Sequence, residues 1–170
     1  MAERSPTDLA LFARFRPSWD HIDPLRQCAE LWIKTRAGSS TADKANIVVH
    51  ELLENAIKYG DPASEIEFEV LIAPDATSFE VRVRNSAAPA RVAILQKEFQ
   101  RVAGDTASAS FSRALQRLQK LPAGASMLGL SRVAMEAQLQ LEVEQDRVTV
   151  KAHVDVVAGP GADVLTSRRP

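Results

Sequence analysis

The sequence predicts an α+β fold, a two-layer α/β sandwich in which a mostly antiparallel sheet has one face covered by helices. Three observations predict it. Two pairs of segments, 65–72 with 79–85 and 139–143 with 148–152, alternate apolar and polar residues, and short runs of turn residues join each pair. The stretches before and between these pairs repeat their apolar residues at three- and four-residue spacing instead. Every alternating segment keeps a polar side, so the sheet buries one face only and helices must cover it.

The elements follow in order. Residues 1–21 are mixed and polar and read as an N-terminal arm. Leu25, Cys28, Ala29, Leu31, Trp32 and Ile33 then describe an amphipathic helix over 24–36, with Pro24 suited to its first turn. The break "AGSST" (37–41) offers Ser40 or Thr41 as the cap of a second helix, which runs to Tyr59 and stops at Gly60, with Pro62 close behind. Next, Ile66, Phe68, Val70 and Ile72 alternate with Glu65, Glu67 and Glu69, and Phe79, Val81 and Val83 alternate with Glu80, Arg82 and Arg84. These form a hairpin turning at "APDAT" (73–77), with glutamates facing arginines across its wet side. Helix-like stretches follow at 89–103, 108–121 and 126–137. Leu139, Leu141 and Val143, then Val148, Val150 and Ala152, make a second hairpin around "QDR" (145–147). Periodicity ends after His153. The chain therefore reads as an arm over 1–21, one domain over 22–157 and a disordered tail over 158–170.

Composition removes several classes of function. A chain of 170 residues with 45% hydrophobic and 25% charged content suits one soluble globular domain. A net charge of −1 argues against a general nucleic-acid binder. Cys28 is the only cysteine, so neither an intrachain disulfide nor a cysteine zinc site is available, and His21, His50 and His153 are too scattered for a ligand set. No apolar run approaches the roughly 20 residues of a membrane span, and the N-terminal stretch lacks a signal peptide's apolar region, so a cytoplasmic location is expected. No G-x-S-x-G, H-E-x-x-H or C-x-x-C motif is present. The charge is uneven: residues 91–120 hold six basic and two acidic residues, net +4, which leaves −5 elsewhere. That stretch reads as two solvated helix faces or as a docking surface for an acidic partner or a phosphate, with Arg101, Arg113 and Arg117 as candidate contacts. Trp19 and Trp32 read first as core residues and second as contacts of a homodimer.

One helix carries polar residues where an apolar surface is expected. Glu51, Asn55 and Lys58 sit at i, i+4 and i+7, within about 60° of one another on a helix. Val48, Val49, Leu52, Leu53, Ala56 and Ile57 occupy most of the remaining circumference. The strip is either the solvent face of a peripheral helix or the wall of an anionic site, with a carboxylate to orient water, an amide oxygen for a metal and an ammonium near phosphates.

The string "ELLENAIKYG" (51–60) resembles the N-box of the GHKL superfamily, the ATP-binding (Bergerat) fold of sensor histidine kinases, anti-sigma-factor kinases and gyrase. The order of helices, hairpin, helices and hairpin over 22–155 is similar to that family's sandwich. The resemblance implies that Glu51 orients the attacking group, that Asn55 binds magnesium and that Lys58 contacts phosphates. It implies ATP and magnesium as cofactors.

The glycine motifs of the family are altered. Where D-x-G-x-G would follow the second strand, this chain has "NSAAP" (85–89). Phe79, Val81, Val83 and Asn85 share a strand face, so Asn85 points to the covered side, and its amide oxygen can replace the carboxylate that receives the adenine amino group. The alternative is that Asn85 caps a turn or the following helix. The later glycine-rich motif is reduced to "ASMLGLSRV" (125–133), in which Gly129 and Leu130 align, Met127 replaces a glycine and Gly124 offers a partial substitute. No long helix with a phosphoacceptor histidine is read ahead of the domain, which ranks the histidine-kinase branch below the anti-sigma-factor kinases as an expectation.

The expectation is a bacterial signalling regulator of the anti-sigma-kinase-like branch that binds a protein partner, such as an anti-sigma antagonist, with nucleotide binding weak or degenerate. The alternative is a serine/threonine protein kinase of the anti-sigma-factor type that uses Mg-ATP, with Glu51 activating the partner's hydroxyl. The plainest reading is a scaffold whose polar strip is only solvated.

Overall fold

The computed structural model describes residues 9–103 and 128–156. Its elements are β1 (Leu9–Phe15), a 3-10 turn (Trp19–His21), α1 (Ile22–Ala37), α2 (Ser39–Tyr59), β2 (Ile66–Ile72), β3 (Ser78–Ser86), α3 (Pro89–Ala103), α4 (Leu128–Glu136), β4 (Gln138–Glu144) and β5 (Arg147–Asp155). The strands make one antiparallel sheet in the order β1-β2-β3-β5-β4, as an α+β sandwich requires. The helix expected over 108–121, Arg113, Arg117, Gly124, Met127 and the tail over 158–170 lie outside the described residues.

Both predicted hairpins form. In β3 the odd-numbered Phe79, Val81 and Val83 are buried, and in β2 so are Ile66, Phe68, Val70 and Ile72. On the opposite face the glutamates of β2 meet the arginines of β3 in register, Glu67 with Arg84 and Glu69 with Arg82. The first turn closes at Ala73, whose N–H donates to the Ser78 carbonyl at 3.0 Å, while Asp75 accepts from the Thr77 N–H and hydroxyl at 3.1 and 2.8 Å.

The arm expected over 1–21 contains a strand. Leu9–Phe15 pairs along the outer edge of β2, Leu11 opposite Val70 and Phe15 opposite Ile66. Leu11, Ala13 and Phe15 pack on the core, and Ala10, Phe12 and Arg14 are exposed. The two-residue period is present, but apolar Ala10 and Phe12 stand on the wet side and mask it. Trp19, expected in the core, is 56% exposed on the 3-10 turn, whereas Trp32 is partly buried and packed on the core.

Helix α2 spans 21 residues and crosses the covered face of the sheet, burying Ala45, Val48, Val49, Leu52, Leu53 and Ala56. Burying each large aliphatic side chain contributes about 1.5–3 kcal/mol relative to exposure. Helix α1 packs alongside through Ala29 and Ile33. The two helices are joined by Gly38 alone, at φ +84°, a left-handed backbone that glycine adopts without steric cost. The cap expected from Ser40 or Thr41 is absent. The helix begins at Ser39 with no side-chain cap, and Thr41 is buried in its first turn.

Candidate functional site

The C-terminal half of α2 sets one wall of a cleft, and the sheet sets the other. Leu52, Asn55, Ala56 and Tyr59 face Val83, Asn85 and Ala87 at the end of β3, with Val148 and Val150 of β5 beyond them. Arg91, Ile94 and Leu95 of α3 and Leu130 of α4 complete the lining. The empty space in and over the cleft is about 800 Å³, open solvent at its mouth included. Asn55 and Asn85 therefore face one space, as the helical period and the strand period separately predict.

Asn85 does two things there. Its amide nitrogen donates to the carbonyl oxygens of Ala56 (3.3 Å) and Ser86 (3.4 Å), and so binds the last turn of α2 to the sheet. Its carbonyl oxygen has no partner among the described residues. The close approach requires glycine at position 60, since a Cβ there would collide with the Ala56 carbonyl oxygen and stand 2.5 Å from Asn85 Nδ2. The capping alternative names a turn or the following helix, whereas this bond goes through the nitrogen to the end of the preceding helix.

The polar strip does not stay together. Glu51 is 6% exposed and turned toward α4, where Arg132 Nη1 donates to its Oε1 at 2.5 Å. Gly129, one turn earlier on α4, lies against the same carboxylate. A Cβ at 129 would stand 2.5 Å from Glu51 Oε2 and 3.2 Å from Asn55 Nδ2. Lys58 is not among the residues lining the cleft, and its ammonium lies 5.3 Å from the ring centroid of Tyr59, which is. Asn55 Nδ2 is buried without a hydrogen-bond partner among the described residues.

Burial pushes the Glu51 carboxyl above its ordinary range, and nearby Glu54 adds to the effect, while Arg132 and His50 pull it back. The close Arg132 contact does not reverse the direction because the arginine side chain is 47% exposed and shares its charge with water. Arg101, a candidate partner contact, sits on α3 with its guanidinium on the Glu98 carboxylate one turn back.

The residues fit the implied cofactors unevenly. The apolar slot between α2 and β3 suits a flat ring, and Asn85 offers an acceptor beside it. Of the residues that the resemblance gives to magnesium and the phosphates, Asn55 lines the cleft and Glu51 and Lys58 do not, and Arg132 holds the Glu51 carboxylate.

No protein-family model and no curated protein matches the chain. The fold nevertheless has a precedent. The chain superposes on one in the crystal structure of the SiaB–SiaC complex from Pseudomonas aeruginosa with a TM-score of 0.64. Identity is 17%, and the match covers 85% of this chain and 88% of that one. At this identity the likeness to the SiaB–SiaC chain establishes the shared fold. Among the described residues no helix is long and apolar enough to cross a membrane.

Two site residues escaped the sequence reading, Arg132 and Arg91. Arg132 follows Gly129 by one turn, but nothing in the local sequence ties it to Glu51, 81 positions away. Arg91, whose Nη1 donates to the Lys58 carbonyl at 2.8 Å, ties α3 to the end of α2 and has no local signal either.

Proposed function

We infer that this chain is a bacterial signalling regulator of GHKL-like fold that acts by binding a protein partner, of the anti-sigma-antagonist kind, and that nucleotide binding is degenerate. One observation carries the reading: the Glu51 carboxylate, where the resemblance puts the group that orients the attacking atom, is buried and held by Arg132. Its Oε1 is taken by Arg132 and Glu51 does not line the cleft, so position rather than basicity argues against its meeting an incoming hydroxyl. The apolar character of the cleft and the absence of Lys58 from its lining support the same reading. So does the source of the structural match, which is a complex of two proteins.

A second reading, a Mg-ATP-dependent serine/threonine protein kinase, is favoured by the placement of Asn55 and Asn85 on one cleft with Glu51 one turn behind. The two separate in a reconstituted system. The tagged chain is purified from its bacterial host with its stable partner, and the purified pair is then mixed with and without Mg-ATP. The regulator reading expects a complex that forms without nucleotide, and no phosphate on the partner. The kinase reading expects saturable, magnesium-dependent binding of a fluorescent ATP analogue that is lost in Asn55→Ala, with phosphate transferred to the partner. That result overturns the regulator reading.

A further inference from the structure

The two edges of the sheet are built differently. On β4 the wet side carries Gln138, Gln140, Glu142 and Glu144, and polar and charged side chains of this kind blunt an edge against further pairing. On β1 the wet side carries Ala10, Phe12 and Arg14, with Phe12 48% exposed, and the strand holds no proline, bulge or inward charge. The direction of its backbone groups follows from the ladder. Ala73 N–H donates to the Ser78 carbonyl directly opposite, and bonded pairs recur at every second residue, so Leu71, Glu69 and Glu67 bond to β3. The even-numbered residues of β2 therefore bond to β1, where they face Leu9, Leu11, Ala13 and Phe15. That leaves the N–H and C=O groups of Ala10, Phe12 and Arg14 turned outward, with no strand beyond them among the described residues.

We propose that β1 pairs antiparallel with β1 of a second copy of this chain, about a two-fold axis through Phe12, so that two five-stranded sheets join into one of ten strands. The three outward residues are spaced evenly about Phe12. The axis therefore sets Ala10 against Arg14 of the copy, and Phe12 against its own counterpart, with the hydrogen bonds of each pair made in both directions. On the covered side the same register sets Leu11 against Ala13 of the copy, large against small and apolar against apolar. On the wet side the arginines meet alanines rather than each other, and the two Phe12 rings form an aromatic pair. A strand of another protein would satisfy the same backbone groups, but this self-matching in length, charge and side-chain size favours the copy. Seven residues a side fall short of the area of a stable dimer, so the dissociation constant is on the order of tens of micromolar. The inference stands apart from the partner reading, because it is measured on this chain without any partner.

The test is sedimentation velocity of the full chain from about 1 to 500 µM, with hydrogen exchange at both ends of that range. The expected result is a monomer in the dilute sample and a dimer in the concentrated one. The amides of Ala10, Phe12 and Arg14 slow in step with the dimer fraction, and those of β4 do not. Phe12→Lys suits the single chain, since Glu69 lies opposite on β2, but it sets two ammonium groups together across the axis and weakens the dimer at least about ten-fold. Ala10→Pro deletes an outward N–H and no bond to β2, so it abolishes the dimer and leaves the dilute chain folded. If either variant does not fold, the exchange pattern of the native chain decides. A monomer at every concentration, a dimer that either folded variant leaves unchanged, or a dimer whose β1 amides exchange as fast as those of the monomer overturns the proposal. So does protection of those amides that arises only when a different protein is added, a result that assigns the edge to a partner's strand.

Discussion

Two effects oppose each other on the Glu51 carboxyl: burial raises its proton affinity, and Arg132 lowers it by less. The folded protein therefore holds this proton more tightly than the unfolded chain does. The associated stability is fully present below the ordinary glutamate value of 4.5 and is lost as pH rises through the higher folded value. Glu51→Gln has no such proton to lose, so its melting temperature gains on the native protein as pH moves from 4 to 7. Thermal melts of both proteins across that range check the sign. Parallel curves, or a gap that narrows toward pH 7, contradict it. At this scale the strand period made Asn85 legible before any coordinates, because side chains two apart share a face. The Glu51–Arg132 pair was not legible. Its members lie 81 positions apart, and no local period couples them.

Between elements, Glu67 on β2 gathers three cations from three other strands. Arg14 of β1 lies 2.8 Å away, Arg84 of β3 3.2 Å and Arg147 of β5 3.9 Å, all on the face opposite the helices. Isolated exposed ion pairs contribute little, but a shared carboxylate that is mostly covered gains from each partner. Glu67→Gln is expected to lower unfolding stability by about 1 kcal/mol in dilute buffer. The loss should shrink near 1 M salt, where the Debye length falls to about 3 Å. Denaturant melts at both salt levels measure this, and an equal loss in each means that packing rather than charge is responsible. The hairpin that carries Glu67 and Arg84 was legible from alternation alone, including which signs face each other. The edge strand that carries Arg14 was not, because apolar Ala10 and Phe12 occupy its solvent side.

Across the whole molecule, β3 lies mid-sheet between β2 and β5 and beneath α2, and β1 and β4 form the edges. Phe68, Phe79, Leu52 and Leu53 are among its largest fully buried side chains and join these inner elements into one core. Native-state hydrogen exchange should therefore find the slowest amides in α2, β2, β3 and β5, opening with global unfolding, while β1 and β4 open earlier. Protection in β1 or β4 equal to that in β3 contradicts this ranking.

By itself the sequence determined what short-range stereochemistry can encode: the fold class, α1 and α2, both hairpins, and the faces on which Asn55 and Asn85 stand. Helical and strand periods act over a few residues, so they survive without knowledge of the remainder of the chain. Only the tertiary structure decided the order of the strands, the recruitment of Leu9–Phe15 to the sheet, the turn of Lys58 toward Tyr59 and the capture of Glu51 by Arg132. Those outcomes depend on which distant surfaces meet, and on the cost of leaving a buried charge or strand edge unpartnered once they do.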